Sequence, residues 1–279
     1  MKFICKELKN KEFNSREKMI KYILKNKDEI LSIKKATLKE TDSVSLVLIA
    51  KEAQKQENSK ELKLGDVIPA VINTINYLDS HGDLHVNGIW NKSAKEQNGK
   101  THHIINHDLS LGNIVGYPAD VEVAVETVSW KDLGVDSAGT TEILIFYTRM
   151  TERTNKDAFL AYKGGIDIQH SVRMQYIDIS LAADTDDPEY ESQKKRFDKY
   201  LPQIINSEVA VERGYFYVVK IGKIVKEGST VLFGSNKLTP ALYNRIKSEP
   251  LQDTQNKEPL KDTLMDYEKM MGFSFNFKN

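Results

Sequence analysis

The sequence predicts an α+β, mainly β protein, in which mostly antiparallel strands form a curved or closed β-barrel with helices around it. From residue 64 onward, short runs rich in β-branched and aromatic residues recur, and some of them alternate in part with a period of two. Gly or Asn marks the turns between runs, as in Asn98-Gly99 and Gly164-Gly165. Many strands joined by short turns, with few long helical patterns, favour a barrel or a strongly curved sheet. The predicted strands are 67–75, 85–89, 101–105, 114–128, 141–149, 166–179, 215–225 and 231–233.

Residues 1–63 are predicted to form a basic, helical N-terminal arm. The first 40 residues hold 12 Lys and Arg against 6 Asp and Glu. Ser15 can cap a helix that begins just after it, and four apolar residues then share one face of that helix. They are Met19, Ile20, Ile23 and Leu24. The pattern fits a helix packed on the body of the protein, with an interaction arm as the alternative.

The main domain is predicted to span residues 64–240, and its strand pattern is broken once. Residues 184–206 begin with several Asp and Glu and continue as a helix-like stretch, which indicates an insertion between two strands. Residues 241–279 are interpreted as a linker and C-terminal tail. There the motif Glu249-Pro-Leu-Gln-Asp-Thr recurs as Glu258-Pro-Leu-Lys-Asp-Thr, and polar, Pro-containing sequence of this kind is typical of linkers.

Composition argues against several function classes. The 40 Lys and Arg balance the 40 Asp and Glu, so no overall charge draws the chain to nucleic acid or to a membrane surface. No apolar run approaches the roughly 20 residues of a membrane span, and the first residues lack the apolar block of a signal peptide. The single cysteine, Cys5, allows neither an internal disulfide nor a cysteine-built zinc site. We therefore expect a soluble, cytoplasmic protein without a cofactor.

Five of the six histidines lie between residues 81 and 107, which raises the question of a metal site. His81 and His85, like His103 and His107, have the i, i+4 spacing of metal ligands on a helix. Gly82 and the β-branched neighbours argue against a helix at either place, and the Glu of zinc metalloproteases is absent. The motif predicts no metal site here.

The stretch Asp79-Ser-His-Gly-Asp83 has two interpretations. With Asn106-His107-Asp108, it resembles fragments of calcineurin-type metallophosphoesterases, whose blocks lie on separate strand ends around two metals. Here the first blocks are fused and a later Gly-His-x-His block is missing. The favoured interpretation is a turn in which Asp83 accepts hydrogen bonds from backbone amides.

Three separate stretches supply the residue types of a serine protease. Ile105–Asp108 contains His107, His170–Val172 contains Ser171, and Lys226–Ser229 contains Glu227. A hydroxyl is a poor nucleophile at neutral pH, so it needs an imidazole to take its proton and a third group to orient that imidazole. Such a triad is defined by geometry, which leaves its order along the chain free.

Four blocks, in order, resemble the tailed-phage prohead maturation proteases, whose fold is related to the herpesvirus assemblin proteases. The match covers roughly residues 66–240. The blocks are Asn76–Trp90 with its Asp-x-x-Gly-Asp motif, His103–Gly116 with Asn-His-Asp, His170–Tyr176 in the place of the nucleophile strand, and Val225–Asn236, which resembles Glu-x-Ser-x-Val-x-x-x-x-Asn.

The resemblance implies a role for each of the three residues. His107 matches the general base, Ser171 the nucleophile and Glu227 the acidic residue that orients the imidazole. Asp108 is the rival for that last role, although adjacent side chains on a strand point to opposite faces. The family usually has Gly three residues after the nucleophile, where this chain has Met174. Backbone N–H groups near Val172 and Arg173 are the candidate oxyanion donors.

The resemblance also implies substrates and a place of action. The substrates would be the scaffolding protein, the major capsid protein and the protease itself, cleaved inside the assembling procapsid in the host cytoplasm, with self-association of the chain. Loss of one or both ends of this chain during maturation is expected. Two alternatives remain: an inactive structural or scaffolding protein with the same fold, and a metal-dependent hydrolase.

Overall fold

The computed structural model describes residues 2–5, 7–8, 10–38, 62–245 and 247–248. The rest of the predicted arm, 39–61, and the predicted tail from 249 onward lie outside these residues. The helices are α1 (Arg16–Lys25), α2 (Lys27–Ala36), α3 (Asn91–Gln97), α4 (Lys156–Lys163), α5 (Glu191–Tyr200) and α6 (Ser207–Arg213). The strands are β1 (Phe3–Cys5), β2 (Lys11–Phe13), β3 (Asp66–Thr74), β4 (Asp83–His85), β5 (His102–Ile105), β6 (Ile114–Gly116), β7 (Val121–Ser129), β8 (Thr140–Arg149), β9 (Gln169–Ala183), β10 (Tyr215–Val231) and β11 (Lys247–Ser248).

Two sheets carry the body of the fold. In the first, the order is β4-β10-β5-β6, and β9 pairs with the other side of β10. In the second, the order is β11-β3-β8-β7, and every pairing is antiparallel. The α+β class is thus confirmed. Within the described part of the chain no sheet closes into a barrel, and β4 and β5 run parallel to β10, so the first sheet is mixed.

The main core lies between these sheets. Strand side chains alternate between faces, so the even-numbered residues Val172, Met174 and Tyr176 of β9 point inward. They join Ile72 of β3 and Phe146 of β8 in one buried cluster. The odd-numbered residues of this part of β9, including Ser171, therefore lie on the opposite face of the first sheet.

The N-terminal helices belong to this core. Ser15 caps α1 by accepting a hydrogen bond from the Lys18 N–H, and the four predicted apolar residues of α1 are all buried, which confirms the predicted helix face. On α2, Lys34 is buried, and its Nζ lies 2.5 Å from Asp83 Oδ1. Both charges are removed from water, so each needs the opposite charge of its partner to offset the cost of burial. The described part of the arm is fixed to β4 by this pair.

Strand boundaries differ from the prediction in two informative places. The predicted run 114–128 is two strands, because Pro118 lacks an N–H and begins a short 3-10 helix between β6 and β7. The gap between the predicted strands 215–225 and 231–233 is strand in the structure, because β10 continues through a bulge at which Lys226 has a φ of 68°. Lys226 is exposed, but Glu227 and Ser229 are buried, so this stretch is not a surface turn.

The predicted insertion 184–206 packs against the body through α5. Phe197 and Tyr200 are buried with Leu84 of β4 and with Phe216 and Val218 of β10. No helix of the described chain has the length and apolar character needed to cross a bilayer.

Candidate active site

Strand β9 places Ser171 beside β10. In the antiparallel register Ser171 is directly opposite Ser229, so the two side chains share a face, with Cβ atoms about 4.5–5.5 Å apart. Arg173, two residues along, lies on that face as well. Ser171 is 9% exposed, so the hydroxyl is nearly but not fully enclosed.

Strand β10 supplies Glu227 and Ser229 to the same face. Both are fully buried, and Gly228 between them points toward the core. A Cβ on Gly228 would come within 2.6 Å of the Phe146 ring, so only glycine allows the sheets to approach this closely. The bulge at Lys226 precedes this segment and offsets it from the earlier part of β10.

A tight turn after β5 delivers His107. Asn106 and His107 both adopt left-handed backbone conformations, with φ of 52° and 57°, and Ile105 bridges to Asp108 across the turn. Left-handed backbone is unfavourable for a residue with a Cβ, so contacts must hold the turn. The Asn106 N–H donates to the Thr230 carbonyl at 3.0 Å, and the His107 N–H donates to Ser229 Oγ at 2.8 Å.

His107 and Glu227 form a buried pair. The distance from His107 Nδ1 to Glu227 Oε1 is 2.7 Å. A carboxylate accepts hydrogen bonds, so the ring donates through Nδ1–H, and in the neutral form of the ring Nε2 carries the lone pair. This is the tautomer that a general base requires. Asp108, the rival carboxylate, is exposed and accepts hydrogen bonds from the Ser110 N–H and the Asn113 amide.

Arg173 contacts both members of that pair. Its Nε lies 3.3 Å from Glu227 Oε1, and its Nη2 donates to the His107 carbonyl at 2.7 Å. The guanidinium compensates the buried negative charge of Glu227. It also holds the peptide unit that follows His107.

The structure thus brings His107 and Glu227 into contact and places Ser171 on the neighbouring strand of the same face. Within the described part of the chain, no hydrogen bond joins the Ser171 hydroxyl to His107. In an enzyme without its substrate, such bonds are often long and tighten only in the bound complex.

The residues on either side of Ser171 direct their backbone N–H groups to the outer edge of β9. The His170 N–H donates to Thr239 Oγ1, on the side of β9 that faces away from β10. Because antiparallel hydrogen bonding alternates, the Val172 N–H points to that same outer edge. No strand of the described residues pairs with that edge of β9.

Three of the other histidines, His85, His103 and His170, are buried in the interior. His103 and His170 bond to a buried set of hydroxyls that includes Tyr162 and Thr230. Burial lowers the pKa of His170 to about 4 and that of His103 well below its ordinary value. His85 contacts Asn73 at 3.0 Å, and burial lowers its pKa to about 4. All three rings are therefore neutral at pH 7.

The predicted turn from Asp79 to Asp83 is present, but the prediction that Asp83 accepts the backbone hydrogen bonds is wrong. Asp79, not Asp83, accepts from the backbone amides, at 2.9 Å from His81 and 2.8 Å from Asp83. Burial and the charge of Asp83 raise the pKa of Asp79 to about 6. Asp83 instead contacts Lys34 and the Tyr176 hydroxyl. Among the residues described, no three His, Cys, Asp or Glu side chains group as metal ligands.

Comparison of the chain with protein-family models, with curated proteins and with solved structures found no match. The site therefore stands on its own geometry.

Sequence reasoning missed the roles of two side chains of this site, those of Ser229 and Arg173. Each lies two positions from a residue that was identified, Glu227 and Ser171 respectively. Period-two spacing on a strand was the available signal, because residues i and i+2 share a face.

Proposed function

We propose that this chain is a serine endopeptidase of the prohead maturation type, with an assemblin-like fold. It would act on scaffolding protein, major capsid protein and itself inside the procapsid, in the host cytoplasm, with self-association of the chain. The observation that carries the proposal is the buried His107–Glu227 pair on the same sheet face as Ser171. A serine, a histidine tautomer fixed by a carboxylate and a nearby backbone N–H are the parts that peptide hydrolysis needs.

In the proposed acylation step, His107 Nε2 takes the Ser171 proton while Oγ attacks the scissile carbonyl carbon. Glu227 stabilises the imidazolium that forms. The Val172 N–H donates to the oxyanion of the tetrahedral intermediate, and one such donor is typically worth about 3–4 kcal/mol. The imidazolium then gives its proton to the leaving amine as the C–N bond breaks, and water hydrolyses the acyl-enzyme in a second round.

The experiment is co-expression of the full chain with scaffolding and major capsid proteins, read by intact mass. We expect cleaved products with the wild-type chain and with Ser137→Ala, a surface-turn serine control, and none with Ser171→Ala. Cleavage that persists in Ser171→Ala would overturn the assignment of the nucleophile.

A second candidate is a capsid-assembly protein that keeps this fold without activity. Two observations favour it: no hydrogen bond joins Ser171 to His107 among the described residues, and Met174 replaces the glycine usual in the family. It predicts intact chains in every co-expression and incorporation of Ser171→Ala into particles at the wild-type level.

A further inference from the structure

Arg173 contacts both the proposed general base, His107, and Glu227, the residue that orients it. Its side chain is largely buried, with 15% of its area exposed, although it lies on the same strand face as Ser171, which is slightly exposed to solvent. One nitrogen approaches Glu227 Oε1 at 3.3 Å, and another donates 2.7 Å to the His107 carbonyl. A burial of this extent is unusual for arginine without a specific set of acceptors.

The hydrogen bond from Arg173 to the His107 carbonyl stabilises an unfavourable backbone conformation. His107 and the residue before it are left-handed, a conformation that residues other than glycine adopt at a cost. Ser229 holds the peptide N–H of His107, and Arg173 holds its carbonyl. The two bonds fix the peptide units on both sides of the histidine, and therefore fix the position of its Cα and the direction of its Cα–Cβ bond.

Arg173 also provides the positive charge beside the buried carboxylate of Glu227. Glu227 is fully buried, and its Oε1 already accepts from the imidazole. The Nε–Oε1 contact is an ion pair without hydrogen-bond geometry, whereas Nη2 donates a hydrogen bond to the His107 carbonyl. A planar guanidinium can make both contacts at once, and an ammonium cannot reproduce that fork. Arginine and lysine are therefore not equivalent at this position.

We infer that Arg173 is a positioning residue that fixes the ring orientation and tautomer of His107 through Glu227 and the His107 carbonyl. The inference rests on the proposed triad, in which that tautomer makes Nε2 the base. Arg173 itself has no contact with the reacting atoms in this scheme.

The test is nitrogen-15 NMR of histidine-labelled full-length protein, with the His107 ring assigned by its loss in His107→Gln. In the wild type we expect a single Nδ1–H tautomer. In Arg173→Lys and Arg173→Met we expect a mixture of tautomers and exchange of the Nδ1 proton at least about tenfold faster, because the ring is no longer held. Arg153→Met, which removes a surface ion pair with Asp120, is the matched control and should keep the wild-type spectrum.

A wild-type ring spectrum in Arg173→Lys would overturn the inference, and this variant keeps the charge if Arg173→Met fails to fold. Reaction with a fluorophosphonate supplies the second readout. We expect its rate constant at saturation to fall about 10- to 100-fold in Arg173→Lys, with little change in the half-saturating concentration. If the wild type does not react while the ring spectra change as expected, the protease proposal fails and the positioning role of Arg173 stands.

Discussion

At the scale of single residues, Ser229 is as important to the site geometry as the residues of the proposed triad. It is fully buried, and its Oγ accepts the His107 N–H at 2.8 Å. Buried donors without an acceptor are costly, so this hydroxyl supports the left-handed turn directly. Ser171 differs, since it retains exposure and bonds to no described side chain, as expected of a group that must meet a substrate.

Ser229→Ala should therefore lower the free energy of unfolding by about 1–3 kcal/mol, because the His107 N–H loses its buried acceptor. Urea unfolding monitored by fluorescence measures this change. Ser137→Ala, at a surface-turn serine whose hydroxyl bonds to the carbonyl of its neighbour Ala138, should stay within about 0.5 kcal/mol of wild type. Equal stabilities of the two variants would show that the turn is held without Ser229.

At the scale of elements, the site is a product of the register between β9 and β10. Ser171 faces Ser229 because of that register, and Glu227 reaches the imidazole only after the bulge at Lys226. A shift by one residue would turn Ser171 and Arg173 into the core. Gly228, between Glu227 and Ser229, allows the close approach of Phe146 from the other sheet.

Gly228→Ala tests the role of that close approach. Its new Cβ would lie 2.6 Å from Cε2 of Phe146, so the strand or the ring must move, at a cost of about 1–3 kcal/mol. We also expect slower fluorophosphonate labelling, since Glu227 and Ser229 flank the displaced residue. Gly112→Ala is the matched control, because a Cβ there meets no atom within 4 Å. Wild-type stability in Gly228→Ala would contradict this account of the packing.

Much of this arrangement could be predicted from the sequence, but not its long-range pairings. The α1 face was readable because Met19, Ile20, Ile23 and Leu24 recur at helical spacing. His107 and Glu227 could be identified as a pair through their motifs. Local patterns do not specify which strands become neighbours, so the open sheets, the parallel pairing of β5 with β10 and the role of Arg173 stayed beyond prediction.

Buried polar residues are a second reason why parts of the structure could not be predicted from the sequence. Lys34 follows the pattern of a surface position, yet it pairs with Asp83 in the interior. The segment Lys226–Ser229 has the composition of a turn, yet it is strand, because its partners come from residues more than 50 positions away. A polar or charged side chain prefers water, but a hydrogen-bonding or ionic partner in the folded interior can outweigh that preference.

At the scale of the whole molecule, buried histidines tie stability to pH. His85, His103 and His170 are neutral in the fold because burial lowers each pKa, to about 4 for His85 and His170. In the unfolded chain they titrate near 6.5, so below that pH the unfolded state binds more protons than the folded state. Stability is then lost as pH falls from 6.5 toward 4.

Between pH 7.5 and pH 5, His85 and His170 should each cost about 2 kcal/mol of the free energy of unfolding, and His103 should add to this loss. Asp79 acts in the opposite sense, since its raised pKa of about 6 favours the folded state as pH falls through 6, by roughly 1 kcal/mol. From these terms we expect a net loss of at least about 3 kcal/mol in urea unfolding. His85→Gln should reduce that loss, and a protein as stable at pH 5 as at pH 7.5 would refute this account.

The central claim is that His107, held by Glu227, activates Ser171. The most direct measurement is intact and peptide mass after reaction of the full chain with a fluorophosphonate, in which Oγ bonds to phosphorus, fluoride leaves and the imidazole takes the proton. We predict a single adduct on Ser171 in the wild type, none in Ser171→Ala, and a rate at least about 100-fold lower in His107→Gln. No adduct in the wild type, an adduct on another residue, or an undiminished rate in His107→Gln would contradict the claim.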